Sequence, residues 1–331
     1  MRKLFAPLMT IAFACAAVFP AEAKTTLRLT LQLPMKSVLG QNVLQFKQEV
    51  EAATKGDIEI QIFDSAQLYD DKDVPKAVGT GQVEMGVASL ARYVGDVPAV
   101  DVFYVPFLFD SADKLKAAVA PGSPVRGPLD EAMLAKTGGR ILWWQAYGGT
   151  VILSKGAPIK GPADLKGKKV RVFAKLLGTW VSENGGSPVN VAGGEQFLAY
   201  QRGTVDIGLT GPDTIQSRKI WEVMDTVTIA NTVAIEFVVV INDKVWQGLS
   251  EEHRKIITDA GRKAESKLRA DFAEIEAKSI EAGKQHKMTV YTPTAAEMAE
   301  WHKSANPVRD AFLKGSGDLG KKVYDAASAL K

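Results

Sequence analysis

Leu27-Arg28-Leu29-Thr30-Leu31-Gln32-Leu33-Pro34 alternates leucine with polar residues and then stops at a proline. Side chains point to opposite faces of a strand in turn, so this stretch predicts a strand with one face in a core. The chain then changes period. Val43, Leu44, Phe46 and Val50 form the apolar stripe of a helix predicted over about Leu39 to Ala53. Ile58, Ile60 and Ile62 alternate again as a second strand. A short helix around Val74 to Val78 leads through Gly79 and Gly81 to a third strand, Val83 to Ala88. Strand, helix, strand, helix, strand implies a parallel α/β sheet whose ligands bind beyond the carboxyl ends of the strands. Gln32 and Ser89 sit at two such ends.

The theme returns further along. Gly139 to Trp144, Thr150 to Ser154, Lys169 to Phe173, Val205 to Leu209 and Ala234 to Ile241 read as strands. Between them lie a helix over about Leu176 to Glu183 and a Gly185-Gly186 turn. The expected fold is α/β with two lobes joined by crossing strands. Residues 24–148 with 237–276 are expected to make lobe I, and 149–236 with 277–331 lobe II. Ser250 caps a helix whose first turn holds Glu251 and Glu252, as the helix dipole favours. Ile256, Ala260, Ala264, Leu268 and Phe272 carry it to about Gly283. At 1.5 Å per residue that is about 50 Å, long enough to bridge both lobes, although an ordinary kinked surface helix has the same pattern.

Arg2 and Lys3, the apolar run Leu4 to Phe19 and the small-x-small Ala21-Glu22-Ala23 read as a signal peptide over residues 1–23, cleaved before Lys24. The run is short for a spanning helix, and no later stretch approaches that length. The only cysteine, Cys15, falls in this leader, so the exported fold is held by its core alone. The charge is +3 from 41 basic and 38 acidic residues, and loss of Arg2, Lys3 and Glu22 leaves it nearly balanced. That gives no electrostatic case for nucleic acid or an anionic membrane. A bacterial periplasm or a secreted fluid fits these properties.

Gly167-Lys168-Lys169-Val170-Arg171-Val172-Phe173 places a guanidinium inside an alternating strand, with Val170 and Val172 on one face and Lys169, Arg171 and Phe173 on the other. Arginine keeps its charge, and its planar fork matches a carboxylate in a bidentate pair. A receptor for an organic anion would place an arginine so; a surface arginine at a strand edge would look the same. Catalytic signatures are missing. His253, His286 and His302 do not pair at metal-ligand spacing, and neither a G-x-S-x-G elbow nor a phosphate loop occurs. Gly315-Ser316-Gly317-Asp318-Leu319-Gly320 matches G-x-G-x-x-G but follows a helix, so it reads as a loop between C-terminal helices. No catalytic residue, cofactor or metal is expected.

The chain resembles the solute-binding proteins of tripartite ATP-independent periplasmic (TRAP) transporters, of the DctP type. The likeness rests on Leu27-Arg28-Leu29 through Pro34, Ser65-Ala66-Gln67-Leu68, Val87-Ala88-Ser89 and Val105-Pro106-Phe107-Leu108-Phe109. It continues in Leu165-Lys166-Gly167-Lys168-Lys169-Val170-Arg171-Val172, Gly186-Ser187-Pro188, Glu195, Gln201-Arg202-Gly203-Thr204-Val205-Asp206 and Arg218-Lys219-Ile220-Trp221-Glu222-Val223. The order and spacing of these pieces span the chain after the leader.

The resemblance implies a two-lobe periplasmic binding protein fold, with crossing strands and a long C-terminal helix bridging both lobes. It implies a periplasmic receptor that closes over a small organic acid and delivers it to a large and a small TRAP membrane subunit. A monomer is expected. By the same resemblance Arg171 ligates the ligand carboxylate, and Gln32, Ser89, Arg92 and Thr210 are further pocket positions; Arg92 could equally be a structural arginine in a loop.

Two departures bear on the ligand. Many dicarboxylate and sialic-acid relatives carry a second arginine shortly after the stretch that here reads Gln145-Ala146-Tyr147-Gly148-Gly149-Thr150, where Val151 follows. The same relatives often place phenylalanine where Gly193 stands, so space is expected there. Losing a cation disfavours a second buried carboxylate. Trp143, Trp144, Tyr147, Phe173 and Trp180 fall in regions that border the cleft and offer flat apolar faces, or else belong to the lobe cores. Tyr147 and Phe173 are therefore added to the expected site, and the expected ligand is a monocarboxylate with an apolar or aromatic body. Lys175 is a further candidate cation, or a solvated lysine. A C4-dicarboxylate or sugar-acid receptor of the same family, a sensory receptor and a secreted enzyme acting on a carboxylic acid are the alternatives.

Overall fold

A computed structural model describes residues 24–330, so the expected leader lies outside the described residues. The strands are β1 (Thr25–Leu31), β2 (Ile58–Phe63), β3 (Met85–Ser89), β4 (Gly139–Gly149), β5 (Val151–Ser154) and β6 (Lys169–Val172). They continue with β7 (Ser187–Asn190), β8 (Ile207–Thr210), β9 (Thr226–Thr228), β10 (Ala234–Asn242) and β11 (Thr289–Tyr291). They form two sheets, ordered β2-β1-β3-β10-β4 and β11-β9-β5-β8-β6-β7. Each sheet with its helices is one lobe of an α/β protein.

The first sheet grows from the leucine alternation. Leu27, Leu29 and Leu31 are wholly buried. On the opposite face Arg28 pairs with Glu84 through two contacts of 2.8 Å. β1 runs parallel to both β2 and β3, with Leu29 beside Ile62 on one side and Met85 on the other. The ends of β1 and β3 therefore lie together, which brings the residues that follow them to one edge.

Two crossings join the lobes. β4 leaves the first sheet and passes through Thr150 into β5 of the second, and β9 returns to the first sheet as β10. The nitrogen and hydroxyl of Thr150 both donate to the carbonyl of Val233, at 3.0 and 3.1 Å, which ties one crossing to the other. Glycine is required here. Gly148 has a φ of 89°, and a Cβ on it would run into Phe272 and Glu276 of the long helix.

That helix is Glu251–Gln285, 35 residues, with the Ser250 hydroxyl accepting from the His253 nitrogen at 3.1 Å. Its length is about 50 Å at 1.5 Å per residue. It packs on β4 and the helix Val38–Ala53 in the first lobe, and on the helix Asp213–Ser217 and β11 in the second. It does bridge both lobes. Its buried stripe begins at Ile257 rather than Ile256, one position on from the sequence reading.

Three strands were not legible from alternation. β7 reads Ser-Pro-Val-Asn, and β9 and β11 have three residues each, too short to show a period. The final segment touches both lobes: the helix Asn306–Gly315 packs on Lys175–Glu183, and Gly317–Ala329 packs on Pro98–Tyr104 and Arg126–Thr137. Its last helix therefore does not stay with lobe II, as residues 277–331 were expected to. The stretch Gly315 to Gly320 follows no strand, but it is not the expected loop: only Ser316 separates the two helices, and Gly317 already begins the second.

Candidate functional site

A cavity opens between the lobes at the carboxyl ends of β1 and β3. Its empty space, which includes some open solvent, is about 330 Å³. From the first lobe come Gln32, Ser89, Arg92 and Tyr147, and from the second Arg171, Phe173 and Thr210. These seven residues, expected at the site from sequence, all line this one space.

Arg171 stands on β6, between β7 and β8, and is 3% exposed. The strand is covered on both faces from Val170 onward, not half-buried as its alternation suggests. The guanidinium donates from Nε to the carbonyl of Val191 at 3.0 Å and from Nη1 to that of Leu209 at 2.6 Å. These bonds leave Nη2 without a partner among the described residues. Its carbon also lies 5.3 Å from the centre of the Phe173 ring. Burial pushes its pKa down to about 10; Tyr200 opposes this, and the charges of Arg218 and Arg92 add smaller contributions in the same direction as burial. It stays protonated at neutral pH, and no carboxylate of the described residues lies within ion-pair distance of it.

Arg92 is held differently. Its Nε donates to Oδ2 of Asp71 at 2.5 Å, and Asp71 is 1% exposed. Burial works against the Arg92 charge, but Asp71 outweighs it and holds the pKa above its ordinary value. Ser89 ends β3 and caps the next turn, with its hydroxyl 3.4 Å from that of Tyr104. Thr210 ends β8, and its hydroxyl meets that of Thr214 at 2.9 Å. Gln32 is buried, and its Oε1 has no partner among the described residues. A Cβ on Gly193 would stand 3.2 Å from that same oxygen, so the space expected from a glycine there is already bordered by the Gln32 carboxamide.

The aromatic expectation divides. Phe173 packs edge-on against Tyr104 at 5.7 Å, and Tyr147 packs against Phe237 at 5.3 Å, on the cavity wall. The three tryptophans are core. Trp143 packs on Phe46 and donates to Asn42 at 3.0 Å, Trp144 donates to Asp130 at 2.8 Å, and Trp180 packs on Trp301 at 5.3 Å. Lys175 begins the helix Lys175–Glu183 on the exposed surface and does not line the cavity.

Six lining residues escaped the sequence reading as site residues: Asp71, Gln196, Gly211, Arg218, Ile235 and Phe237. Arg218 follows the helix Asp213–Ser217, eight positions past the end of β8, and that proximity to a strand end was the available signal. It brings a further guanidinium to the cavity, beside Arg171 and Arg92, where Val151 offers none. Among the described residues no cluster of histidine, cysteine and acids could hold a metal, and no helix is long and apolar enough to cross a membrane.

Residues 30–315 match the model of the family described as bacterial extracellular solute-binding protein, family 7 (DctP). The C4-dicarboxylate-binding periplasmic protein DctP of Rhodobacter capsulatus is 26% identical, over 88% of this chain and 87% of its own. DctP7 of Bordetella pertussis, an extracytoplasmic solute receptor binding pyroglutamic acid, superposes with a TM-score of 0.86 at 25% identity, over 92% of this chain and 99% of its own. A TRAP periplasmic solute-binding protein of Desulfovibrio salexigens with bound orotic acid gives 0.85 at 26% identity, over 92% and 99%. The chain therefore belongs to family 7 of the bacterial extracellular solute-binding proteins, as a periplasmic TRAP-type receptor for an organic acid rather than an enzyme.

Proposed function

We propose that this receptor captures a small monocarboxylate with an apolar or ring-shaped body and delivers it to a large and a small TRAP membrane subunit. The observation that carries this reading is the electrostatic state of Arg171: buried, bonded to two carbonyls, and without a counter-ion among the described residues. A buried charge without a partner costs several kcal/mol, and a ligand carboxylate is the group that removes that cost. Gln32, Ser89, Arg92 and Thr210 orient the acid from both lobes. Phe173 and Tyr147, with Phe237, take its body. Closure excludes water and strengthens the pair, so the closed state gains more from the ligand than an open one.

Calorimetry tests the assignment. Arg171→Ala is expected to weaken binding by at least about tenfold, as for truncation of a buried charge pair, and unchanged affinity refutes the role of Arg171. A thermal-shift panel of aromatic monoacids and C4 diacids identifies the ligand, since one present at a hundred times its Kd stabilises the fold by about 2.7 kcal/mol. Diacids shifting while monoacids do not would reverse the ligand class.

A further inference from the structure

Arg218 lines the cavity with hydrogen-bonding capacity that the fold does not use. Nη1 donates to the Thr214 hydroxyl at 3.2 Å, and Nη2 reaches the Tyr147 hydroxyl only at 3.5 Å. Nε is wholly buried and has no partner among the described residues. The nearby acid, Asp213, accepts from the Tyr147 hydroxyl at 3.4 Å and makes no ion pair with Arg218. A buried guanidinium N–H left unsatisfied costs free energy, and a fold that merely needed to pin Thr214 could use a lysine or glutamine.

The two free guanidinium groups both come from the second lobe and face the same space. Arg171 stands on β6, and Arg218 lies beyond β8. Arg92, on the opposite wall, is already neutralised by Asp71. Arg171 with one carboxylate would leave Arg218 without an ion pair, its charge offset only at longer range by Asp213. We propose that Arg218 is a specificity-determining residue that binds a second acceptor oxygen on the ligand, set apart from the carboxylate taken by Arg171. The ligand class narrows from any small monoacid with an apolar body to one that carries a further neutral oxygen; a further anionic oxygen would make it a diacid and reverse the monocarboxylate reading. This rests on the reading of Arg171 as the carboxylate partner.

Calorimetry with two matched pairs tests it: pyroglutamate against cyclopentanecarboxylate, and succinate against butyrate. The protein is expected to prefer the oxygen-bearing member of one pair by about ten- to a hundredfold, the range of a hydrogen bond to a charged group. Preference in the first pair assigns a neutral oxygen, and preference in the second an anionic one. Arg218→Gln should erase the preference. Arg171→Gln should weaken both members together and keep their ratio, which separates a failure of the carboxylate assignment from a failure of this one. Arg218→Lys keeps a charge without Nε and should also lose the preference, which provides a readout if the glutamine variant does not fold. No preference in either pair, or a ratio unmoved by both Arg218 variants, overturns the proposal.

Discussion

Asp71 accepts from Arg92 Nε through Oδ2 at 2.5 Å and from the backbone nitrogen of Ser89 through Oδ1 at 2.8 Å. One carboxylate thus neutralises an arginine and fixes the residue that ends β3. The consequence for the cavity is that Arg92 enters it as half of an ion pair, whereas Arg171 and Arg218 do not. Asp71 is expected to be a stability residue whose loss also alters the site.

Asp71→Ala should therefore lower stability by about 3–5 kcal/mol, the cost of stranding one partner of a buried pair. Urea unfolding measures it. Asp71→Asn keeps the shape and a group that can accept from Ser89, so its loss should be smaller. A deficit below about 1 kcal/mol for the alanine variant, the value of a surface pair, would show that water already serves Arg92 in solution.

Asp101 gives stability a pH dependence of known sign. It lies in the turn Pro98–Tyr104, is 6% exposed, and its Oδ1 has no partner among the described residues. Burial raises its pKa from 3.8 to about 7, with Lys175 opposing. Between those values the folded protein keeps a proton that the unfolded chain has lost. The contribution is therefore present at low pH and is lost as the pH rises toward about 7, with no further change above it. Asp101→Asn cannot lose that proton. The stability of the variant relative to the parent should climb steadily from about pH 4 to about pH 7 and then level off, as read by chemical denaturation across that range. A difference that stays constant with pH would show that the carboxyl titrates normally.

What the sequence disclosed depended on whether a residue's surroundings leave a mark in its own neighbourhood. β1 was legible because only one of its faces needs leucine, and Gln32 and Ser89 were legible because ligands gather at strand ends. Arg171 combined a strand and a charge, and both signals were local. Arg218 carried the charge but not the strand: it follows a five-residue helix, Asp213–Ser217, eight positions past the end of β8. The tryptophans stayed undecided for another reason. Trp143 and Trp144 face a core and Tyr147 a cavity along one continuous strand, and aromatic chemistry suits both places. Gly193 misled because the group that borders it, Gln32, comes from the other lobe.

The buried pair of Arg269 and Glu236 joins the long helix to the crossing strand β10, and it invites a test of coupling. Arg269 donates from Nη1 and Nη2 to the two oxygens of Glu236 at 3.0 and 2.9 Å, and Glu236 is 1% exposed. Its Nε reaches Glu265 at 3.3 Å, and Glu265 in turn accepts from Arg126 at 2.7 Å. Burial disfavours the Arg269 charge, yet Glu236 and Glu265 together hold its pKa above the ordinary arginine value. Arg269→Met strands Glu236 in the sheet and should cost about 3–5 kcal/mol of stability. Adding Glu236→Met removes the stranded charge, so the double variant should recover most of that loss, because well-packed apolar pairs replace buried ion pairs at little net cost. Equal losses in the single and double variants would instead mean that packing against the helix, and not the charge pair, holds β10 in place.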